Sequence, residues 1–359
     1  MNLNYVSEPL SINNIALPNR IVFPAFQTNY ATSDGFVTER LFRFYGTIAQ
    51  GGSGLIIAGA MAVSDDGTPN TNALKINNDK YVAGLKELFS LIKKNGAVPA
   101  AQLLHAGRQT LSAMTGHPLV APSAIPCPVM KETPLELDEH GIKRIQDDFV
   151  NAAGRAKKAG AELIELHGAF GYLIGAFLSP YSNKRRDEYG TDKALFFTEI
   201  IEKVKRKVGD MPISCRISAD EFVDGGLTLD DTIKITPRLV DAGADVISVA
   251  AGTYASMAHM APTRDMGEGV HTHIAQGIRD VVEVPVICAG NIRSLEYANN
   301  VIREKKADLV AICRPQVADP FFVKKSVNNQ PVAQCTDCGT CLFFLHGASA
   351  VSCPQNPEL

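Results

Sequence analysis

Tryptophan is absent from this sequence, and aromatic residues make up only 7% of it. Tryptophan is the best aromatic face for a cation, so its absence counts against an aromatic cage for a methylated amine. Net charge is also small, −3 at pH 7, with no basic stripe of the kind that holds nucleic acid. The basic run at residues 203–207 has the composition of a solvated helix end. Long apolar runs are missing: the longest, residues 54–63, is too short to cross a bilayer. The N-terminal stretch MNLNYVSEPL has neither the charged nor the apolar region of a secretory signal, so a reducing cytoplasm is expected. No G-x-G-x-x-G follows a strand, and Gly168, Gly171 and Gly175 have the wrong spacing for a dinucleotide fingerprint.

In bulk the chain is ordinary: 359 residues, 45% hydrophobic and 20% charged, enough to bury a large core. Its distinctive feature lies near the C-terminus. Four of the eight cysteines read Cys335-Thr-Asp-Cys338-Gly-Thr-Cys341, followed later by Cys353. Three closely spaced thiolates can converge on one inorganic cube, and a fourth returning from further along completes the ligand set of a [4Fe–4S] cluster. Structural zinc is a rival, although it more often uses two C-x2-4-C pairs. Disulfides are a second rival and need an oxidising compartment. Cys215, Cys288 and Cys313 lie in apolar runs, where free cysteine packs as a small hydrophobe. Cys127 lies among prolines and has no assigned role.

Short apolar segments recur at residues 21–26, 55–60, 98–104, 162–167, 212–217, 246–251, 285–290 and 309–313. They lack alternation and are rich in Val, Ile, Leu and Ala, as parallel strands buried on both faces are. Amphipathic helical stretches separate them, at about 38–50, 79–95, 141–159, 191–208, 228–242, 271–281 and 294–305. Eight strands alternating with helices predict an α/β fold of the (β/α)8 TIM-barrel type. Two additions are expected. Residues 6–17 could form a hairpin that plugs the barrel floor, and the proline-rich connection 105–138 reads as a lid or pocket wall. The chain divides into a barrel, 1–330, and a cysteine-rich extension, 331–359.

In a barrel, polar residues at the C-terminal ends of strands are the candidates for function. They are Gln102 and His105 after the third strand, His167 and Tyr172 after the fourth, and Arg216 inside the fifth. Gly290, Asn291 and Arg314 follow the last two strands, where barrels commonly bind phosphate. A buried arginine is costly without an anion. Arg216 therefore pairs with a structural carboxylate or faces an electron-rich ligand ring.

Longer stretches carry a resemblance. They are Leu17-Pro-Asn-Arg20-Ile-Val, Gln102-Leu-Leu-His105-Ala-Gly-Arg108, Glu165-Leu-His167-Gly-Ala-Phe-Gly-Tyr172, and Phe177-Leu-Ser-Pro-Tyr-Ser-Asn183-Lys-Arg185-Arg-Asp187-Glu-Tyr-Gly190. Over essentially its whole length the chain resembles the old yellow enzyme family of FMN-dependent ene-reductases. Its cysteine tail is similar to the iron–sulfur branch, which includes 2,4-dienoyl-CoA reductase, enoate reductases and trimethylamine dehydrogenase. The resemblance implies that Ala25, Phe26, Gln27, Gly59, Ala60 and Gln102 contact the flavin, with Arg216 at its pyrimidine end. Gly290, Asn291, Cys313 and Arg314 would hold the phosphate. Tyr172 matches the proton donor, His167 matches a substrate-carbonyl ligand, and Cys335, Cys338, Cys341 and Cys353 match the cluster ligands.

Several departures shape the expectation. Phe170 replaces the second carbonyl ligand, so His167 alone, or Tyr254 after the sixth strand, has to polarise the substrate oxygen. Gln27 stands where the amine dehydrogenase links its flavin covalently, so FMN is expected to be non-covalent. The chain ends at Leu359, where the CoA reductases continue into a nicotinamide-binding domain. The expected electron source is then a separate electron-donor flavoprotein, or NAD(P)H docking directly as an external donor. The substrate class implied is a small unsaturated carbonyl or an acyl-CoA thioester. An amine-type dehydrogenase sending electrons outward through the cluster is the alternative, as is a non-catalytic electron-transfer or redox-sensing flavoprotein. A homo-oligomer is compatible with all of these. Nucleic-acid and membrane partners are not expected.

Overall fold

The computed structural model describes residues 3–343 and 347–359. Eight strands form a closed parallel barrel: β1 Ile21–Phe23, β2 Leu55–Ala62, β3 Val98–Leu104, β4 Leu163–Gly168, β5 Ile213–Ser218, β6 Val246–Ala250, β7 Val286–Cys288 and β8 Leu309–Ala311. Each pairs with its neighbour in sequence, and β8 pairs with β1 to close the ring. Every residue of these strands is buried, which is why their sequences run apolar without alternation.

The intervening helices begin at the caps their sequences announce. Thr38 caps Glu39–Gln50, Asp138 caps Glu139–Lys158, and Ser294 caps Leu295–Arg303, each side chain accepting a backbone N–H. Thr228 and Asp231 form a reciprocal capping box before Leu229–Asp241.

The N-terminal hairpin pairs Leu10–Ile12 with Ile15–Leu17. Its Ile12, Ile15 and Leu17 share one apolar cluster with Val22, Leu55, Val98, Leu163 and Val246 at the strands' N-terminal ends. The hairpin therefore plugs the barrel floor and leaves the C-terminal face for chemistry.

Three strands are shorter than their apolar runs by two residues or more. β1 stops at Phe23 because Pro24 has no N–H to continue the ladder. β7 and β8 stop at Cys288 and Ala311, and the residues beyond leave the sheet. β2 is longer, and its register against β3 shifts between Ala58 and Met61. Gly59 sits in that shift with φ of +148°, and a Cβ there would lie 3.1 Å from Gln102.

No residue of the connection 105–138 lines the central cleft. Arg108 donates to the carbonyls of Ile125 and Pro126, and Arg185 donates to those of Pro122 and Leu137. These bonds pin the loop outside the β4 exit, where Gln109 Nε2 also donates to the Phe170 carbonyl. It supports the cleft from behind. Among the described residues, no helix is long and apolar enough to cross a membrane.

Candidate active site

A cleft of ≈ 240 Å³ opens at the C-terminal face of the barrel. The peeled strand ends supply its walls. Ala25, Phe26 and Gln27 follow β1, Ala60 lies on β2, and Gln102 lies on β3. His167, Phe170 and Tyr172 come from β4 and its exit, Arg216 from β5 and Tyr254 from beyond β6. Gly290, Asn291, Cys313 and Arg314 close the far end. Gly59 itself does not line the cleft, but shapes the turn that presents Ala60.

His167 is 4% exposed. The Ala169 N–H donates to its Nδ1 at 3.2 Å, leaving the ring proton on Nε2. Burial, and then the Arg216 charge, hold its pKa well below the ordinary 6.5. The site therefore contains a neutral imidazole donor.

Tyr172 packs edge-on against His167, with ring centroids 4.9 Å apart at 85°. Its hydroxyl lies 3.0 Å from that of Tyr254. Burial raises the pKa of both phenols. The shared hydrogen bond works in opposite directions, lowering Tyr172 and raising Tyr254. Either hydroxyl can donate in this bond, and Tyr254 is placed to donate once Tyr172 loses its proton.

Arg216 is 8% exposed, and its Nε has no hydrogen-bond partner. Among the described residues, no carboxylate forms a salt bridge with it. Its guanidinium lies 5.3 Å from the Phe170 ring centroid, so that phenylalanine supplies an aromatic face in place of a hydrogen-bonding group. Gln102 has the opposite arrangement. Its Nε2 donates to the fully buried Glu165 at 2.7 Å, and Ser214 holds the other Glu165 oxygen at 3.1 Å. The Gln102 amide oxygen is left to accept. An unpaired buried cation beside a fixed acceptor suits an electron-rich ring that also carries an N–H donor.

The far end is already hydrogen-bonded. Asn291 Nδ2 donates to the carbonyls of Thr263 and Gly267, and its Oδ1 accepts from Arg293 and Arg314. Asn291 thereby orients arginines and has no side-chain amide hydrogen left for a ligand. Gly290 has φ of +124°, and a Cβ there would sit 2.7 Å from His271 Nδ1, so only glycine fits. Burial pushes the Cys313 thiol up to about 12.

His271 is pushed down to about 4, first by burial and then by His259 and His273. An unfolded histidine titrates at about 6.5. Below that value the unfolded chain takes up protons that the folded chain refuses, so stability falls as pH falls from about 6.5 towards 4. We expect Tm to drop between about pH 7.5 and 5, and His271→Asn to flatten part of the drop. An identical pH slope in that variant would remove His271 from the explanation.

Several lining residues were not among the candidates: Pro69, Asn70, Met260, Pro262, Arg293 and Phe343. Arg293 alone had a signal, its place directly after the Gly290–Asn291 turn. His105 is not in the cleft. Its Nδ1 accepts from the Gly107 N–H, and its Nε2 lies 3.5 Å from Asp66.

Cys335, Cys338, Cys341 and Cys353 line one small cavity with Arg314 and Asp337. Cys341 lines the central cleft as well. Among the described residues, no three His, Cys, Asp or Glu side chains form a group that could hold a metal ion. The thiols are neighbours around one space, and their donor chemistry suits a thiolate-ligated cluster more than a hard cation. The tail is tied to the barrel: Val351 N–H donates to Thr28, Tyr30 donates to the Val351 carbonyl, and Phe343 and Val351 are buried in the main core.

A family model described as NADH:flavin oxidoreductase / NADH oxidase matches residues 6–332. The chain belongs to that family. It is 42% identical over 335 residues to an NADH oxidase of Thermoanaerobacter brockii, covering 91% of this chain and 52% of that protein. Among solved structures it is similar to a 2-naphthoyl-CoA reductase in complex with 2-naphthoyl-CoA, with TM-score 0.95 and 25% identity, covering 99% of this chain and 57% of that one. It is also similar to histamine dehydrogenase from Rhizobium sp. 4-9, with TM-score 0.89 and 28% identity, covering 99% and 52%. The chain thus spans about half the length of the curated relatives it first matches.

Proposed function

We propose that this chain reduces the activated C=C bond of an α,β-unsaturated carbonyl or thioester, using non-covalent FMN supplied with electrons through a [4Fe–4S] cluster. The observation that carries this reading is one cleft holding a neutral His167, the Tyr172–Tyr254 hydroxyl pair and an unpaired Arg216. When bound, FMN supplies hydride and can accept electrons singly.

The chain's own residues do the rest. Arg216 and the Gln102 oxygen would bind the polar edge of the flavin ring. Arg314 and the Gly290 turn would hold its phosphate. The His167 Nε2–H donates to the substrate carbonyl oxygen and stabilises charge that develops there. Tyr172 gives its proton to the α-carbon, and Tyr254 donates to the phenolate left behind. Phe170 offers no second donor, so the oxygen is polarised by one hydrogen bond. That arrangement suits a thioester or extended conjugated acyl group, and the resemblance to the 2-naphthoyl-CoA reductase complex supports the same class.

Cys335, Cys338, Cys341 and Cys353 would hold the cluster, with Cys341 at the edge of the flavin cleft. The electron source is a separate donor flavoprotein or NAD(P)H. A second reading, an amine dehydrogenase passing electrons outward, is supported by the resemblance to histamine dehydrogenase.

An anaerobic absorption spectrum with iron, sulfide and zinc analysis tests this. We expect flavin bands above a broad iron–sulfur shoulder, with about four irons per chain. The dithionite-reduced protein should be reoxidised by an enoyl thioester. Flavin with zinc and no iron would make the tail a structural staple. Bleaching of the oxidised flavin by an amine, with no response to any enoyl compound, would favour the second reading.

A further inference from the structure

Asp337 stands between two candidate cluster ligands and lines their cavity, yet its carboxylate also meets two arginines that line the central cleft. Its Oδ1 lies 2.8 Å from Arg293 NH1 and 3.3 Å from Arg314 NH1. Exposed Arg264 reaches Oδ2 at 3.8 Å. Arg293 and Arg264 both donate to the Cys335 carbonyl as well, at 2.6 and 2.9 Å. Arg293 and Arg314 meet again on Asn291 Oδ1, at 3.1 and 3.2 Å. One network thus joins the cysteine loop to the phosphate end of the cleft.

Two further observations give it direction. Asp337 has φ of +57°, a left-handed conformation that glycine adopts freely and a carboxylate residue adopts at a cost. The side chain's ion pairs compensate for that cost. The charges do not cancel either. The two arginines that line the cleft, set against one carboxylate, leave a net positive charge for a phosphate, which is an anion at neutral pH.

We propose that Asp337 is a positioning residue that clasps Arg293 and Arg314, so that a seated cysteine loop preorganises the flavin-phosphate cradle. This rests on the reading above that FMN and a cluster occupy the two cavities. Coupling of this kind is reciprocal: cluster loss weakens FMN, and FMN loss loosens the loop.

The test measures FMN and riboflavin affinity of the full chain by flavin fluorescence, before and after oxidative chelation of iron. Riboflavin lacks the phosphate and reports the ring site alone. In the wild-type chain, iron removal should weaken FMN by about tenfold, within the usual range of site-to-site coupling, and leave riboflavin nearly unchanged. Asp337→Asn should weaken FMN about as much with iron present, leave riboflavin unchanged, and abolish most of the further effect of iron removal. Arg293→Gln breaks the same clasp from the opposite side and should reproduce the pattern if the asparagine variant fails to fold.

Unchanged FMN affinity in Asp337→Asn overturns the proposal. So does tighter FMN, which would make the carboxylate a competitor of the phosphate, and so does an equal loss for riboflavin. A wild-type chain that binds neither flavin nor iron fails the underlying reading instead.

Discussion

Tyr172→Phe is expected to leave FMN binding and flavin reduction intact while slowing reoxidation by an enoyl thioester by about 10²–10⁴-fold. The substitution removes one oxygen. The ring stays against His167, so the cleft keeps its shape. What is lost is the proton destined for the α-carbon and one hydrogen bond to the Tyr254 hydroxyl. Stopped-flow mixing of pre-reduced protein with substrate separates this half-reaction from flavin reduction. Wild-type reoxidation in the variant would remove Tyr172 as donor. Tyr254→Phe provides the internal comparison, because it removes the hydroxyl that shares a hydrogen bond with Tyr172. Its loss should be smaller and should leave Tyr172 with a higher pKa, since the bond that lowers it is gone.

Arg216→Met is expected to raise the stability of the flavin-free chain and weaken FMN by about 10–100-fold. The two effects have one cause. Arg216 is a buried cation whose Nε is unpartnered, and an uncompensated buried charge destabilises the empty fold. Methionine matches much of its length without the charge. When a ligand supplies the missing acceptor, a hydrogen bond to a charged group contributes about 1.5–3 kcal/mol, which sets the size of the affinity loss. Thermal melts of the flavin-free proteins and fluorescence titration with FMN give the two signs separately. A fall in both would mean that Arg216 is structural. A rise in stability with unchanged FMN affinity would mean that the ring binds elsewhere. The first reading of Arg216 left two partners open, a carboxylate or a ligand ring. Among the described residues no carboxylate forms a salt bridge with it, and the Phe170 ring lies 5.3 Å from its guanidinium.

How much of the site was legible follows from how each residue is specified. Gln102, His167 and Arg216 could be placed because a polar residue inside an apolar run is costly wherever the run is buried, so the pattern itself marks the position. Gly290 was legible for a similar reason, since a glycine that ends a buried strand marks a turn. Asp337 was not. It looks like an ordinary surface charge in sequence, and only its 2.8 Å approach to Arg293 across a long stretch of chain gives it a role. The place of the long connection after β3 was not legible, because length and proline content report a loop but not the surface it covers.

Local sequence determined the alternation of eight strands with helices, the floor-plugging hairpin, the helix starts at Thr38, Thr228 and Ser294, and the grouping of four cysteines. These depend on burial periodicity, capping and spacing, which neighbouring residues set among themselves. Tertiary structure alone decided that Tyr254 meets Tyr172, that Glu165 fixes Gln102, and that the tail folds back to bring Cys341 to the flavin cleft. Those pairings form only when the barrel closes and distant strand ends share one face, and no local pattern records which side chains closure brings together.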